Sequence, residues 1–249
     1  MDNALPHARK CFVGFLVAAT MVSTNVVAGV TTTVVDVPTR GATQRFLYVR
    51  PDAPVANIVF LPGRDGIMGI ANDGSIPTIA GRCAPFARNR DAFAARGYAL
   101  ALVDQTSDLM VRQYADIREV VRYMRARDKV PTWIVGGSAS TMAALNFAVD
   151  LPPDEPMGVI IFSPGESDLS RAARINRQTL IVFHSEDAPS APFVDPLFDA
   201  LNSAPARERI RLMGGSNGDC GGHHLFMGID AEFVAAVAGF IDKHNTMRR

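Results

Sequence analysis

From residue 30 onward the chain alternates short apolar runs with amphipathic stretches of helical period, and this alternation constrains the fold most. The runs at 56–61 (Ala-Asn-Ile-Val-Phe-Leu), 99–103, 132–135, 159–162, 179–183 and 209–213 read as strands. Between them, 85–96, 113–127, 141–149 and 191–201 read as helices. The second of these carries Ile117, Val120, Val121 and Met124 on one stripe. A last helix is expected after Asp230, a good N-cap residue, with Phe233, Val234, Val237, Phe240 and Ile241 on one face. Strands separated by helices pair in parallel, and a parallel sheet needs cover on both faces. Residues 31–37 and 44–49 read as strands with no helix between them, an antiparallel entry into the sheet. The expected architecture is α/β: a mostly parallel sheet with helices on both faces, in a single domain over residues 29–249.

Charge and apolar content narrow the function classes. The 249 residues are 48% hydrophobic, and 25 basic side chains balance 25 acidic ones. That apolar content rules out a disordered chain, and the absence of a basic excess argues against a nucleic-acid partner. The charge run at 122–129 falls on a helix and its end, where a solvated face accounts for it.

Residues 1–28 read as a secretory signal peptide rather than as part of the fold. Arg9 and Lys10 precede an apolar run over 11–22, and Val26 and Ala28 set the small-residue exit. The run is too short to span a bilayer, and no cysteine follows it to take a lipid, so no stable membrane anchor is expected. Export places the chain in the periplasm or outside the cell. Cleavage leaves Cys83 and Cys220, either a disulfide pair or two buried thiols.

The candidate chemistry gathers where strands end. Gly136-Gly137-Ser138-Ala139-Ser140 lies between a strand and a helix. A sharp strand-to-helix turn exposes its central side chain and demands small flanking residues, here Gly136 and Ser140, which makes Ser138 the candidate nucleophile. A serine hydroxyl needs a base and an orienting acid. The strand at 179–183 runs into His184-Ser185-Glu186-Asp187, which offers Asp187 as the acid, with Glu186 and Asp195 as competitors. Gly221-Gly222-His223-His224-Leu225-Phe226 offers two adjacent bases. A histidine pair also suggests a metal, but no third ligand stands at suitable spacing and no HExxH or CxxC pattern occurs, so neither metal nor cofactor is expected. Asp104, at a strand end, reads as structural.

Taken together these segments resemble the α/β-hydrolases, in particular the compact kind with little or no lid that includes dienelactone hydrolases and related bacterial esterases. The matching residues are Leu61-Pro62-Gly63-Arg64-Asp65-Gly66, residues 136–140, Asp187 and His223-His224-Leu225-Phe226, in the family's order. The resemblance implies a Ser138–His–Asp187 triad acting on a small-molecule ester. His224, followed one residue later by Phe226, matches the family spacing best, and His223 is the alternative. It also implies an oxyanion hole from the backbone N–H groups of Ala139 and Arg64. Ser140 departs from the usual glycine. The other readings on the same fold are a binding module without turnover and a peptidase or thioesterase.

Overall fold

The computed structural model describes residues 20–27, 29–105, 114–150 and 157–245. Its elements run β1 (Thr20–Val27), β2 (Val30–Thr39), β3 (Ala42–Pro51), β4 (Ala56–Leu61), α1 (Ile79–Cys83), α2 (Pro85–Arg88), α3 (Arg90–Ala95) and β5 (Tyr98–Asp104). They continue with α4 (Tyr114–Asp128), β6 (Thr132–Ser138), α5 (Thr141–Asp150), β7 (Met157–Pro164), α6 (Leu169–Ala172), β8 (Gln178–His184), α7 (Ala191–Ala200), β9 (Arg207–Leu212) and α8 (Asp230–His244). One nine-stranded sheet takes the order β1-β2-β3-β5-β4-β6-β7-β8-β9. The β2–β3 hairpin enters antiparallel, through β3 on β5, as the absence of an intervening helix led us to expect. From β5 to β9 every pairing is parallel.

Parallel pairing with helices on both faces explains the unbroken apolar runs. Every residue of β4 and of β5 is buried. One face packs against α2, α3 and α8 through an aromatic cluster in which Phe86 stacks on Phe93 at 4.9 Å and Phe226 on Phe233 at 4.7 Å. The other face receives the α4 stripe of Ile117, Val120, Val121 and Met124, all buried, together with Leu145 and Phe147 of α5. The charged run at the end of α4 is largely solvated, except for Asp128. Its side chain is fully buried and accepts from Arg50 Nε at 2.8 Å and from Tyr48 Oη at 2.5 Å.

Two local readings change. The stretch expected as one helix over 85–96 divides at Asn89, whose backbone leaves the helical path and whose Nδ2 donates to Pro85 O and to Asp230 Oδ1. Asp230 is the first helical residue of α8, with Ile229 at the N-cap; Arg88 Nε and Asn89 Nδ2 hold its carboxylate at 2.7 and 2.6 Å. Tertiary partners have claimed a group that the local rule gives to a cap. Finally, residues 20–27, assigned above to the leader, form the edge strand β1 on β2. Among the described strands, cleavage after Ala28 would remove β1 alone and leave β2–β9 paired. Residues 1–19, with the leader's basic start and most of its apolar run, lie outside the described residues, as do Ala28 and Gln113.

Candidate active site

Four chain segments meet at the C-terminal edge of the parallel strands. At the end of β6, Ser138 adopts φ +52°, the left-handed region that a non-glycine residue occupies only when its surroundings impose it. The β6–β7 register shifts between Gly137 and Ser138, where the chain turns out of the sheet toward α5. The turn closes by a bond from Ser140 N to Gly137 O at 2.9 Å. Gly136 must be glycine: a Cβ there would meet Ser140 O at 2.6 Å and the Ala144 methyl at 2.7 Å. This is the close approach that a strand-elbow-helix requires.

The loop after β4 lies against the elbow. A Cβ on Gly63 would stand 3.2 Å from Ser138 Cβ and 3.8 Å from its Oγ. Arg64 follows with φ +54°, and among the described residues neither its backbone N–H nor that of Ala139 has an acceptor. The rest of the loop is pinned by Asp104, whose buried carboxylate accepts from the N–H groups of Met68, Gly69 and Ile70 at 2.7, 3.1 and 2.7 Å. Asp104 therefore has the structural role read from the sequence.

Ser140, the departure from glycine, has a use. Its buried hydroxyl donates to Pro62 O and joins the elbow to the Gly63–Arg64 loop. Ser140→Ala should lower kcat about 10- to 100-fold with KM nearly unchanged, because the two candidate oxyanion donors lose their common brace. Steady-state kinetics on a soluble ester checks this; an unchanged kcat would remove Ser140 from the set of positioning residues.

Asp187 follows β8 in a turn closed by Asp187 N donating to His184 O at 3.2 Å, and it is buried. Its Oδ2 and Oδ1 lie 2.9 and 3.0 Å from His224 Nδ1. Facing a carboxylate, Nδ1 is the protonated nitrogen, which leaves Nε2 to accept a proton. Burial pushes the Asp187 carboxyl up, but the His224 imidazole and the hydroxyls of Ser190 and Ser163 outweigh it and hold the group below the ordinary carboxylate value.

His224 sits in a 3-10 turn, Gly222–Leu225, held from several sides. Ser163 Oγ donates to His224 O at 2.6 Å, and Ser190 Oγ lies 3.3 Å from Nδ1. Arg88 Nη2 donates to Leu225 O at 2.8 Å, which ties the turn to α2. Cys83 and Cys220 form a disulfide joining the end of α1 to the start of this loop. The cysteines are 137 positions apart, and closing so long a loop restricts the unfolded chain by on the order of 5 kcal/mol. Ser163 and Ser190 were not singled out in the sequence; the usable signal was that Ser163 ends a parallel strand and Ser190 immediately precedes a helix.

The competing residues go elsewhere. His223 stacks on His184, ring centroids 4.3 Å apart and 8° from parallel, with Nδ1 3.5 Å from Glu186 Oε2. Asp195 pairs with Arg209 and is not among the residues lining the Ser138 cavity. Ser138 and His224 line one cavity of about 420 Å³, with Ala139, Met142, Glu166 and Phe193 among its walls. No hydrogen bond joins Ser138 to His224 among the described residues; such bonds commonly tighten only when substrate is bound.

Among solved structures the chain is similar to a dienelactone hydrolase from Anabaena variabilis, with TM-score 0.66, 13% identity, and 88% of this chain and 100% of that one covered. The fold is that of the α/β-hydrolases. A cold-adapted esterase from an Arctic intertidal metagenomic library superimposes with TM-score 0.62 at 14% identity, over 90% of this chain and 97% of that one. An acetyl xylan esterase from Paenibacillus sp. R4 gives 0.60 at 12%, over 92% and 89%. No family model and no curated protein matches the sequence. At these identities the likeness carries the α/β-hydrolase fold, and the chemistry rests on this chain's own side chains.

Proposed function

We propose that this chain is an exported serine hydrolase that cleaves carboxylic esters of small molecules. The observation that carries the reading is the paired Asp187–His224 dyad opening on the cavity that Ser138 lines from a strained elbow. The esterases among the similar structures support it.

In the first step Ser138 Oγ attacks the ester carbonyl carbon while His224 Nε2 takes the hydroxyl proton. Asp187, ionised, balances the imidazolium and holds the ring through Nδ1. The carbonyl oxygen becomes an oxyanion facing the unused N–H groups of Arg64 and Ala139. The C–O bond to the alcohol then breaks, and the imidazolium returns its proton to the leaving oxygen. Water attacks the acyl-enzyme in turn, giving one proton to Nε2. Release of the acid returns that proton to Ser138.

A fluorophosphonate probe tests the assignment on protein isolated from the exported fraction. Intact mass spectrometry should show one adduct on a chain beginning at Gly29, and Ser138→Ala should show none. An unlabelled wild type would leave a binding module without turnover, and equal labelling of the variant would remove Ser138 as the nucleophile. A labelled chain that retains its first 28 residues would remove the cleavage reading alone.

A further inference from the structure

The cavity's walls point to the charge of the substrate, an inference that rests on the hydrolase reading above. Most of the walls away from the reacting atoms are apolar: Met142, Pro164, Pro189 and Phe193. Among the described residues two ionisable side chains line the cavity, His224 and Glu166, and no lysine or arginine does. Glu166 follows β7 by two residues in an exposed loop, and among the described residues its carboxylate has no hydrogen-bond or ion-pair partner. By contrast Glu186, Glu208 and Asp195, on the same half of the sheet, each have a cationic or histidine partner.

An unpaired carboxylate at the rim of a largely apolar cavity does not treat substrates alike. A ligand cation there gains Coulomb attraction in a medium less polarisable than water, while its alkyl parts cover Met142 and the prolines. The Phe193 ring adds a surface on which a cation is favoured. A ligand carboxylate in the same place meets a like charge, with no lysine or arginine among the described wall residues to offset it. We propose that Glu166 is a specificity-determining residue of this cavity, selecting esters that carry a cationic group and disfavouring anionic ones.

The test compares acetylcholine with 3,3-dimethylbutyl acetate, the uncharged ester of the same shape, and with the monoanion of monoethyl succinate. The alcohol's charge alters intrinsic ester reactivity, so the readout is how the kcat/KM ratios change with the residue at 166. At low salt, Glu166→Gln should lower the cationic-to-neutral ratio about three- to tenfold, and Glu166→Lys should lower it further while raising the anionic-to-neutral ratio. The wild-type ratio should also shrink as salt screens the carboxylate. Ratios that stay within about twofold across glutamate, glutamine and lysine would overturn the assignment. So would a wild type that turns over none of the three esters; whether the hydrolase reading falls with it is read separately from the fluorophosphonate adduct on Ser138.

Discussion

Replacing His224 by alanine is expected to lower kcat/KM for a short-chain ester by at least about 10³-fold, as much as removing the nucleophile, whereas His223→Ala costs less than about tenfold. The two residues are neighbours in the chain but not in the site. A 3-10 turn advances about 120° per residue, so consecutive side chains on Gly222–Leu225 leave in different directions and only one can face Asp187. That one is His224, 2.9 Å from the carboxylate, and it also lines the Ser138 cavity. His223 is stacked on His184, whose Nδ1 accepts from Glu186 N and whose Nε2 donates to Gly214 O, so its ring belongs to the packing of the loop. Loss of His223 loosens that loop but leaves the proton acceptor in place. The discriminating measurement is the pair of kcat/KM values. A larger loss on His223 would reverse the roles and require a different orienting acid, with Glu186 then the first candidate.

That choice marks a boundary in what the sequence could say. The elbow was legible because its constraint is local. A strand, two glycines, a serine, two small residues and a helix fall within a dozen positions, and the backbone alone demands the glycine at 136. Asp187 was legible by its place after a parallel strand, since such strands deliver their ends to one edge. The central strands were legible as unbroken apolar runs because helices bury both faces of the sheet, and α4 and α8 by the helical period of the one face that each buries. Features decided by partners far along the chain were hidden. Asp230 carries the local signature of a cap, yet Arg88 and Asn89, over 140 positions earlier, hold its carboxylate. Asn89 divides a stretch that propensity joins. Ser163 and Ser190 are common residue types whose importance comes only from what lies opposite them. The hydroxyl at 140 looked like a departure from pattern until Pro62 O stood against it.

The same partner logic gives the second large effect. Asp187→Asn should lower kcat by about 10³- to 10⁴-fold while leaving the fold intact, and Glu186→Gln and Asp195→Asn should each cost less than about tenfold. An asparagine at 187 matches the carboxylate in shape, but it presents one oxygen and one N–H₂ where His224 Nδ1 now finds two oxygens at 2.9 and 3.0 Å. Once the amide group donates to Nδ1, the imidazole holds its proton on Nε2 and can no longer accept one from Ser138. Even in the favourable orientation the amide carries no charge to balance the imidazolium formed when Ser138 attacks. Stability should follow pH in a matching way. The Asp187 carboxyl lies below its ordinary value in the folded chain, so between the folded and unfolded values the unfolded chain binds more protons. The carboxylate's contribution is therefore complete above about pH 4, the ordinary aspartate range, and is lost as pH falls through the folded value. Denaturant melts of wild type and Asp187→Asn should differ above about pH 4 and converge as pH falls further. A difference that persists or widens below about pH 4 would mean that the carboxylate is not held ionised by His224, Ser190 and Ser163, and the orienting role would pass to another group.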